Sequence, residues 1–441
     1  MSLASLKKWA PLLGGIMGVQ AVVQGLNAVS GILLVRLLPR EDAYAWFTIA
    51  SSTMILVNLL SDPGATAAVQ SIAGPVWKKP EPFTRIIQSV RRHQRWLTGL
   101  AAAITLPWMA VLLHRVHAPA WVIAGAVAVL LIGAWPMAFA QILAHVNRLH
   151  SRYAGQLRAE LLSAAARLLL IGVTVLPILF LWSSDVPAAS GSAFLAAVFA
   201  AVGAALLYHQ TLRRQTRGLL VADLPPSRET DPQIRSTLLH TAPFTLYYAV
   251  QGHLSTWLIT WFGVAAGVAD VGALGRLALI FGVAGAPIVQ VAAPSFARCT
   301  DRRQLQFQIL RVAGFYGFFA VGIVTTALLL PQPFLWILGP QYTHLGPVLP
   351  LALLGLVAAN YAGMFWGLIL ARGWVKSSAL VIPVGVAAQA SGLFLFDIST
   401  VPGILAFNLF ITVPSVLLAL LIIGRAFAKW KAPTPAPPTS L

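Results

Sequence analysis

Residues 10–38 read APLLGGIMGVQAVVQGLNAVSGILLVRLL, and Arg36 is the only charged side chain among them. A helix needs about 20 apolar residues to cross the hydrocarbon of a bilayer. This stretch is long enough, and Pro39 marks where it stops. Lys7 and Lys8 precede it in the manner of a secretory leader. A leader's apolar segment runs only about 7–15 residues and ends in small residues for cleavage. This one is longer and has no such ending, so it reads as a first membrane span.

The same pattern recurs along the chain. Twelve spans are expected, at about 10–38, 43–70, 96–114, 119–146, 159–182, 190–210, 237–262, 268–294, 311–331, 347–371, 376–396 and 399–427. Composition agrees: 58% of the 441 residues are hydrophobic and 10% are charged, with a mean hydropathy of +0.80. A soluble domain carries roughly 25% charged residues. The fold class is therefore an all-α polytopic membrane protein.

Basic residues set the orientation. Of the 30 Lys and Arg, 25 fall in one alternate set of loops, and only Arg36, Arg40 and Arg115 fall in the other; Arg167 and Arg276 lie inside spans. This places both termini in the cytoplasm and favours an even number of spans. The formal charge of +18 then reflects topology and attraction to anionic membrane lipids, and no nucleic-acid partner is expected. The single cysteine, Cys299, excludes an internal disulfide. It reads as a free thiol in a basic loop.

The most polar connection separates two equal sets of spans. Residues 1–212 are expected to form an N-terminal six-helix lobe, 213–236 a cytoplasmic linker, 237–430 a C-terminal six-helix lobe, and 431–441 a disordered Pro-rich tail. Two halves in the same orientation suggest a parallel repeat about an axis along the membrane normal.

The sequence holds no phosphate-binding loop, HExxH motif, dinucleotide fingerprint or nucleophile elbow. The acidic pair Glu41-Asp42 is read as a cap for the second span. No catalytic residue, cofactor or metal site is expected, and the chain is not read as an enzyme.

Polar side chains are costly in hydrocarbon and normally face the bundle interior. Helical phase places Gln20, Gln24 and Asn27 on one stripe of the first span. Asp62 lies deep in the second, followed by the helix-breaking Pro63-Gly64. In the seventh span, Thr237, His240, Thr241, Tyr247, Tyr248, Gln251 and Ser255 share a face, and His253 points away as a packing residue. Gly272, Arg276, Pro287 and Gln290 share a face of the eighth. With Asp62 the only carboxylate well inside a span, the interior is cation-rich. That suits an anionic ligand, because the Arg fork holds two phosphate oxygens at once. Arg36, Arg167 and Arg276 are the candidates for a diphosphate. His240, Tyr247, Tyr248, Gln251, Gln24 and Asn27 are candidates for sugar contacts. Asp62 is a candidate for a charge pair or for a coupling ion.

Four segments carry a family resemblance. Leu33-Leu-Val-Arg36-Leu-Leu-Pro-Arg-Glu41-Asp-Ala-Tyr44 follows the first span, and Leu60-Ser-Asp62-Pro-Gly64 ends the second. Asp270-Val-Gly272-Ala-Leu-Gly-Arg276 lies in the eighth, and Leu338-Gly339-Pro-Gln-Tyr342 through Pro347-Val-Leu349 precedes the tenth. In order and spacing they resemble bacterial polysaccharide-biosynthesis flippases of the O-antigen type, within the multidrug/oligosaccharidyl-lipid/polysaccharide exporter superfamily. Ala45, Pro63 and Ala273-Leu274 depart from that pattern.

The resemblance implies two six-helix lobes around a central cavity in the bacterial inner membrane. It also implies translocation of a polyprenyl-diphosphate-linked oligosaccharide by alternating access. The expected partners are that glycan lipid, a polysaccharide polymerase and glycosyltransferases, with the transporter itself a monomer. Two alternatives stand beside this reading. One is a cation-coupled multidrug antiporter of the same fold. The other is a membrane glycosyltransferase or polymerase, which would want a large outer domain.

Overall fold

The computed structural model describes residues 3–181, 186–221, 224–278, 301–372 and 380–429, together with Phe296, Cys299 and Trp374. The expected tail, 431–441, lies outside them, as do Pro287 and Gln290. The described residues are helical throughout, with no β-strand among them. Among the described residues, nine helical segments are long and apolar enough to cross a membrane. Large apolar side chains on them are accessible, such as Phe318 at 83% and Trp96 at 80%, which suits a lipid-facing surface. The protein is an all-α polytopic membrane protein.

Three of the twelve expected spans are absent from that set. The seventh is a long helix, Asp231–Phe262, but its polar stripe lowers its hydropathy. The eighth is described only as far as Ala278. The eleventh is the short helix Val381–Leu395.

Contacts divide the chain into two compact units, Met1–Arg276 and Leu277–Leu441. The sequence places the changeover at the 213–236 linker. In the folded chain the two helices after that linker still pack with the first unit.

The first unit contains α1 (Leu3–Leu37), α2 (Ala45–Leu60), α3 (Ala65–Ala68), α4 (Pro80–Arg115) and α5 (Ala120–Leu149). It continues with α6 (Tyr153–Leu170), α7 (Leu176–Leu181), α8 (Val186–Thr216), α9 (Asp231–Phe262) and α10 (Ala265–Arg276). Its densest seam joins α5 to α8. There small residues let the backbones approach: Gly133 sits against Val202, and Gly191 against Trp121 and Val122.

A π turn, Arg40–Tyr44, links α1 to α2. This revises the expected capping role of Glu41-Asp42. Both residues lie inside the π turn, and the residue at the N-cap of α2 is Tyr44, whose side chain makes no cap hydrogen bond. The break after α2 follows from Pro63-Gly64. Gly64 has φ 112°, a left-handed conformation, and a Cβ there would overlap the Thr241 hydroxyl of α9. That hydroxyl donates to the Pro63 carbonyl.

The linker is held against α4. Val221 N–H donates to Thr84 Oγ1 at 3.1 Å, Ser227 N–H to Arg85 O at 3.2 Å, and Ser89 Oγ to Ser227 O at 2.9 Å. Arg92 and Asp231 form an ion pair beside it.

The second unit contains α11 (Arg302–Leu329), α12 (Gln332–Leu338), a 3₁₀ segment Pro340–Val348, α13 (Leu349–Ala371), α14 (Val381–Leu395) and α15 (Val401–Ala428). Its core gathers Leu305, Phe365, Ile369, Ile422 and Phe427. Cys299 is free and outside any helix, as expected, and its side chain is buried against this core. Its Sγ lies 3.3 Å from Asp301 O. Arg372 Nη1 donates to Cys299 O at 2.8 Å and to Phe296 O at 3.2 Å.

Candidate functional site

The first unit brings several of the sequence candidates together around α1, which contacts both α6 and α10. Those two helices carry Arg167 and Arg276. Arg167 occupies the last turn of α6, just before a further π turn at Ile171–Val175. Its Nε is buried and has no hydrogen-bond partner among the described residues. The charge it feels most is that of Arg276.

Arg276 ends α10. Its guanidinium lies 5.4 Å from the centre of the Phe47 ring, a cation–π distance, and its Nε donates a long bond to Tyr44 Oη at 3.5 Å. Tyr44 is fully buried. The position of α10 depends on Gly272, because a Cβ there would overlap Thr48 of α2. The third arginine candidate, Arg36, lies apart from this arrangement in exposure: it is solvent-accessible in the last turn of α1.

Gln24 and Asn27 are half-buried on α1. On the same stripe, Gln20 Oε1 is buried without a hydrogen-bond partner among the described residues, as is Asn58 Oδ1 of α2. Unpaired amide oxygens in an apolar bundle mark places where a donor is missing.

Asp62 has a definite local task. Its Oδ1 accepts the Thr66 N–H at 2.9 Å, which holds the first turn of α3 after the Pro63-Gly64 break. It also lies within electrostatic range of His145 on α5.

On α9, His240 is exposed and its Nδ1 lies 2.6 Å from Ser236 O. Tyr247 and Tyr248 meet edge to face, with ring centres 5.3 Å apart. Tyr247 and Gln251 are half-buried and Tyr248 is exposed. His253 lies on a different face and is buried, and its Nδ1 lies 2.5 Å from Ser52 Oγ of α2. The phase argument thus separates the packing histidine from its accessible neighbours.

Two further carboxylates lie in this unit. Asp270, which the sequence reading did not count among the interior carboxylates, is only 4% exposed; α10 begins five positions before it and packs against α2 and the first π turn. The other is Glu160, half-buried on α6, where its Oε1 accepts from Gln156 at 2.9 Å. Among the described residues no cluster of His, Cys, Asp and Glu is arranged to hold a metal ion.

No protein-family model matches the sequence, and no curated protein does. Solved structures match it along almost its whole length. An inward-facing multidrug resistance MATE family transporter of the MOP superfamily aligns with a TM-score of 0.67 at 17% identity, covering 93% of this chain and 96% of that one. The lipid II flippase MurJ, in an inward closed conformation, aligns with a TM-score of 0.69 at 11% identity, covering 94% and 89%. The chain has the fold of these transporters. An outward-facing MATE transporter of that superfamily also matches, with a TM-score of 0.63 at 14% identity. The superfamily fold thus agrees with the resemblance carried by the four sequence segments. Most of the matching structures are multidrug transporters.

Proposed function

We propose that this protein is an alternating-access transporter of the bacterial inner membrane that flips a polyprenyl-diphosphate-linked oligosaccharide. Twelve spans form two lobes around a cavity, and both termini are cytoplasmic. It moves its substrate without chemical change, so it is a transporter rather than an enzyme.

The observation that supports this reading is the Arg167–Arg276 pair. Two like charges near one another inside an apolar bundle are unfavourable unless an anion joins them. Among the described residues neither arginine has a carboxylate ion-pair partner. A diphosphate supplies the missing charge and enough oxygens for two guanidinium forks. The polar stripe of α1 and the accessible Tyr247, Tyr248 and Gln251 of α9 then offer amide and aromatic contacts to sugar rings.

A second reading has its own support. The matches to MATE structures outnumber those to a flippase, and the buried Asp270, together with Asp62, supplies the acidic groups that a cation-coupled drug antiporter wants.

Deleting the gene separates the two. The flippase reading expects loss of a surface polysaccharide and accumulation of its lipid-linked precursor on the inner leaflet, with drug susceptibility unchanged. Normal polysaccharide together with increased sensitivity to cationic drugs would replace it with the antiporter.

A further inference from the structure

A cavity of about 300 Å³ opens in the first unit where α4, α5 and α8 meet the start of the linker. Its walls are cationic. Arg91, Arg213, Arg217 and His209 line it, and among the described residues no carboxylate does. Its floor is apolar, formed by Ile87, Ile142, Leu143 and Leu220. None of these groups belongs to the Arg167–Arg276 arrangement.

Two of the cationic groups are held against one ring. The Arg91 guanidinium lies 4.2 Å from the centre of the Phe139 ring, a cation–π distance. The same ring meets His209 edge to face at 6.3 Å. Arg91 Nε and His209 Nδ1 are both buried and lack a hydrogen-bond partner among the described residues. Arg95 adds a further charge, 5.9 Å from the Phe139 ring, and Arg91 feels the charges of both Arg95 and Arg213. Concentrated like charge with unsatisfied polar atoms needs an anion to balance it.

We infer that this cavity binds a phosphoryl group, held by Arg91, Arg213, Arg217 and His209 against the Phe139 ring. Arg presents paired donors that match phosphate oxygens. The cavity lies at the end of the bundle that carries the basic linker, where anionic headgroups gather. Its apolar floor can receive the glycerol and first methylenes of a lipid. A free phosphate would use the same cationic wall without the floor. The site is independent of what the protein transports.

The test uses the full chain purified in detergent without phosphate buffer. Phosphatidylglycerol is titrated against phosphatidylcholine and followed by native mass spectrometry, with inorganic phosphate added as competitor. Variants Arg91→Gln and Arg213→Gln are compared with Arg235→Gln, an exposed arginine of α9 away from the cavity. Arg213 is exposed, so its replacement preserves the fold even if that of Arg91 does not.

The site predicts that the wild type and Arg235→Gln retain phosphatidylglycerol selectively. The cavity variants should lose roughly ten- to a hundredfold in affinity, the size of one charge-assisted contact. Resistance to inorganic phosphate then identifies a lipid headgroup, and displacement by it identifies a free phosphate; both support the site. Equal binding by all variants, or an equal loss in Arg235→Gln, would overturn it in favour of diffuse surface attraction. Since the readout is binding, either result leaves the transport reading untouched.

Discussion

His253 Nδ1 and Ser52 Oγ lie 2.5 Å apart, joining α9 to α2 across 201 residues of sequence. His253 is 7% exposed, so each partner would be left unsatisfied without the other. Losing one partner of a buried hydrogen bond costs about 1–3 kcal/mol. Ser52→Ala and His253→Ala should therefore each lower the melting temperature in detergent, and the double variant should lose less than the sum. Tyr247→Ala and Gln251→Ala, on accessible flanks, should leave the melt unchanged but reduce export per molecule. The opposite pattern, with stable His253→Ala and unstable Tyr247→Ala, would exchange the roles of the two faces.

The membrane class, most of the spans and the faces of α9 were legible because they rest on local facts. Length and apolarity define a span, and a 100° step per residue separates His253 from Tyr247. Tertiary facts were not legible in the same way. Asp270 was not counted beside Asp62 because α10 is packed by α2 and a π turn more than 200 residues earlier in the chain. The burial of the loop residue Cys299 was not legible because the apolar groups that cover it, such as Phe365 and Ile422, lie far along the sequence. The linker looked like a lobe boundary from its composition. In the folded chain hydrogen bonds hold it to α4, and α9 and α10 group with the first compact unit. Even the cationic cavity was hidden, since Arg91 and Arg213 come together only when α4 meets α8.

Gly64 should be intolerant of substitution for two separate reasons. Its φ of 112° is a region that residues with a Cβ rarely occupy, at a cost of about 1–3 kcal/mol, and the added carbon would displace Thr241. Gly64→Ala should therefore lower the melting temperature, and adding Thr241→Ala should recover only part of the loss, because the strain remains. Full recovery would assign the whole effect to the clash.

Orientation can be read with cysteines once Cys299 is replaced by Ser. Cys299 itself is buried, so its failure to react would say nothing about topology. Arg228 and Glu229 are exposed on the linker. In intact cells Arg228→Cys and Glu229→Cys should resist impermeant thiol reagents and react after permeabilisation. Labelling before permeabilisation would invert the orientation that the basic loops imply.

The arginine pair offers the sharpest test of the transport reading. A diphosphate between Arg167 and Arg276 uses both charge and fork geometry. Losing one charge-assisted contact costs roughly 1.5–3 kcal/mol, about ten- to a hundredfold in substrate affinity. Arg167→Ala and Arg276→Ala should lower export by that order at normal protein levels, while Arg302→Ala, on an exposed turn of α11, should not. Lysine should rescue only in part, since it keeps the charge and loses the fork. At Arg276 the rescue should be poorer, because the guanidinium there also faces Phe47 at 5.4 Å and an ammonium ion cannot stack on a ring as a planar group does. Snorkelling makes a different forecast. If Arg167 merely reached along α6 to the cytoplasmic interface, lysine would replace it fully. Wild-type export from both alanine variants would remove the diphosphate from this site and leave the pair without a ligand.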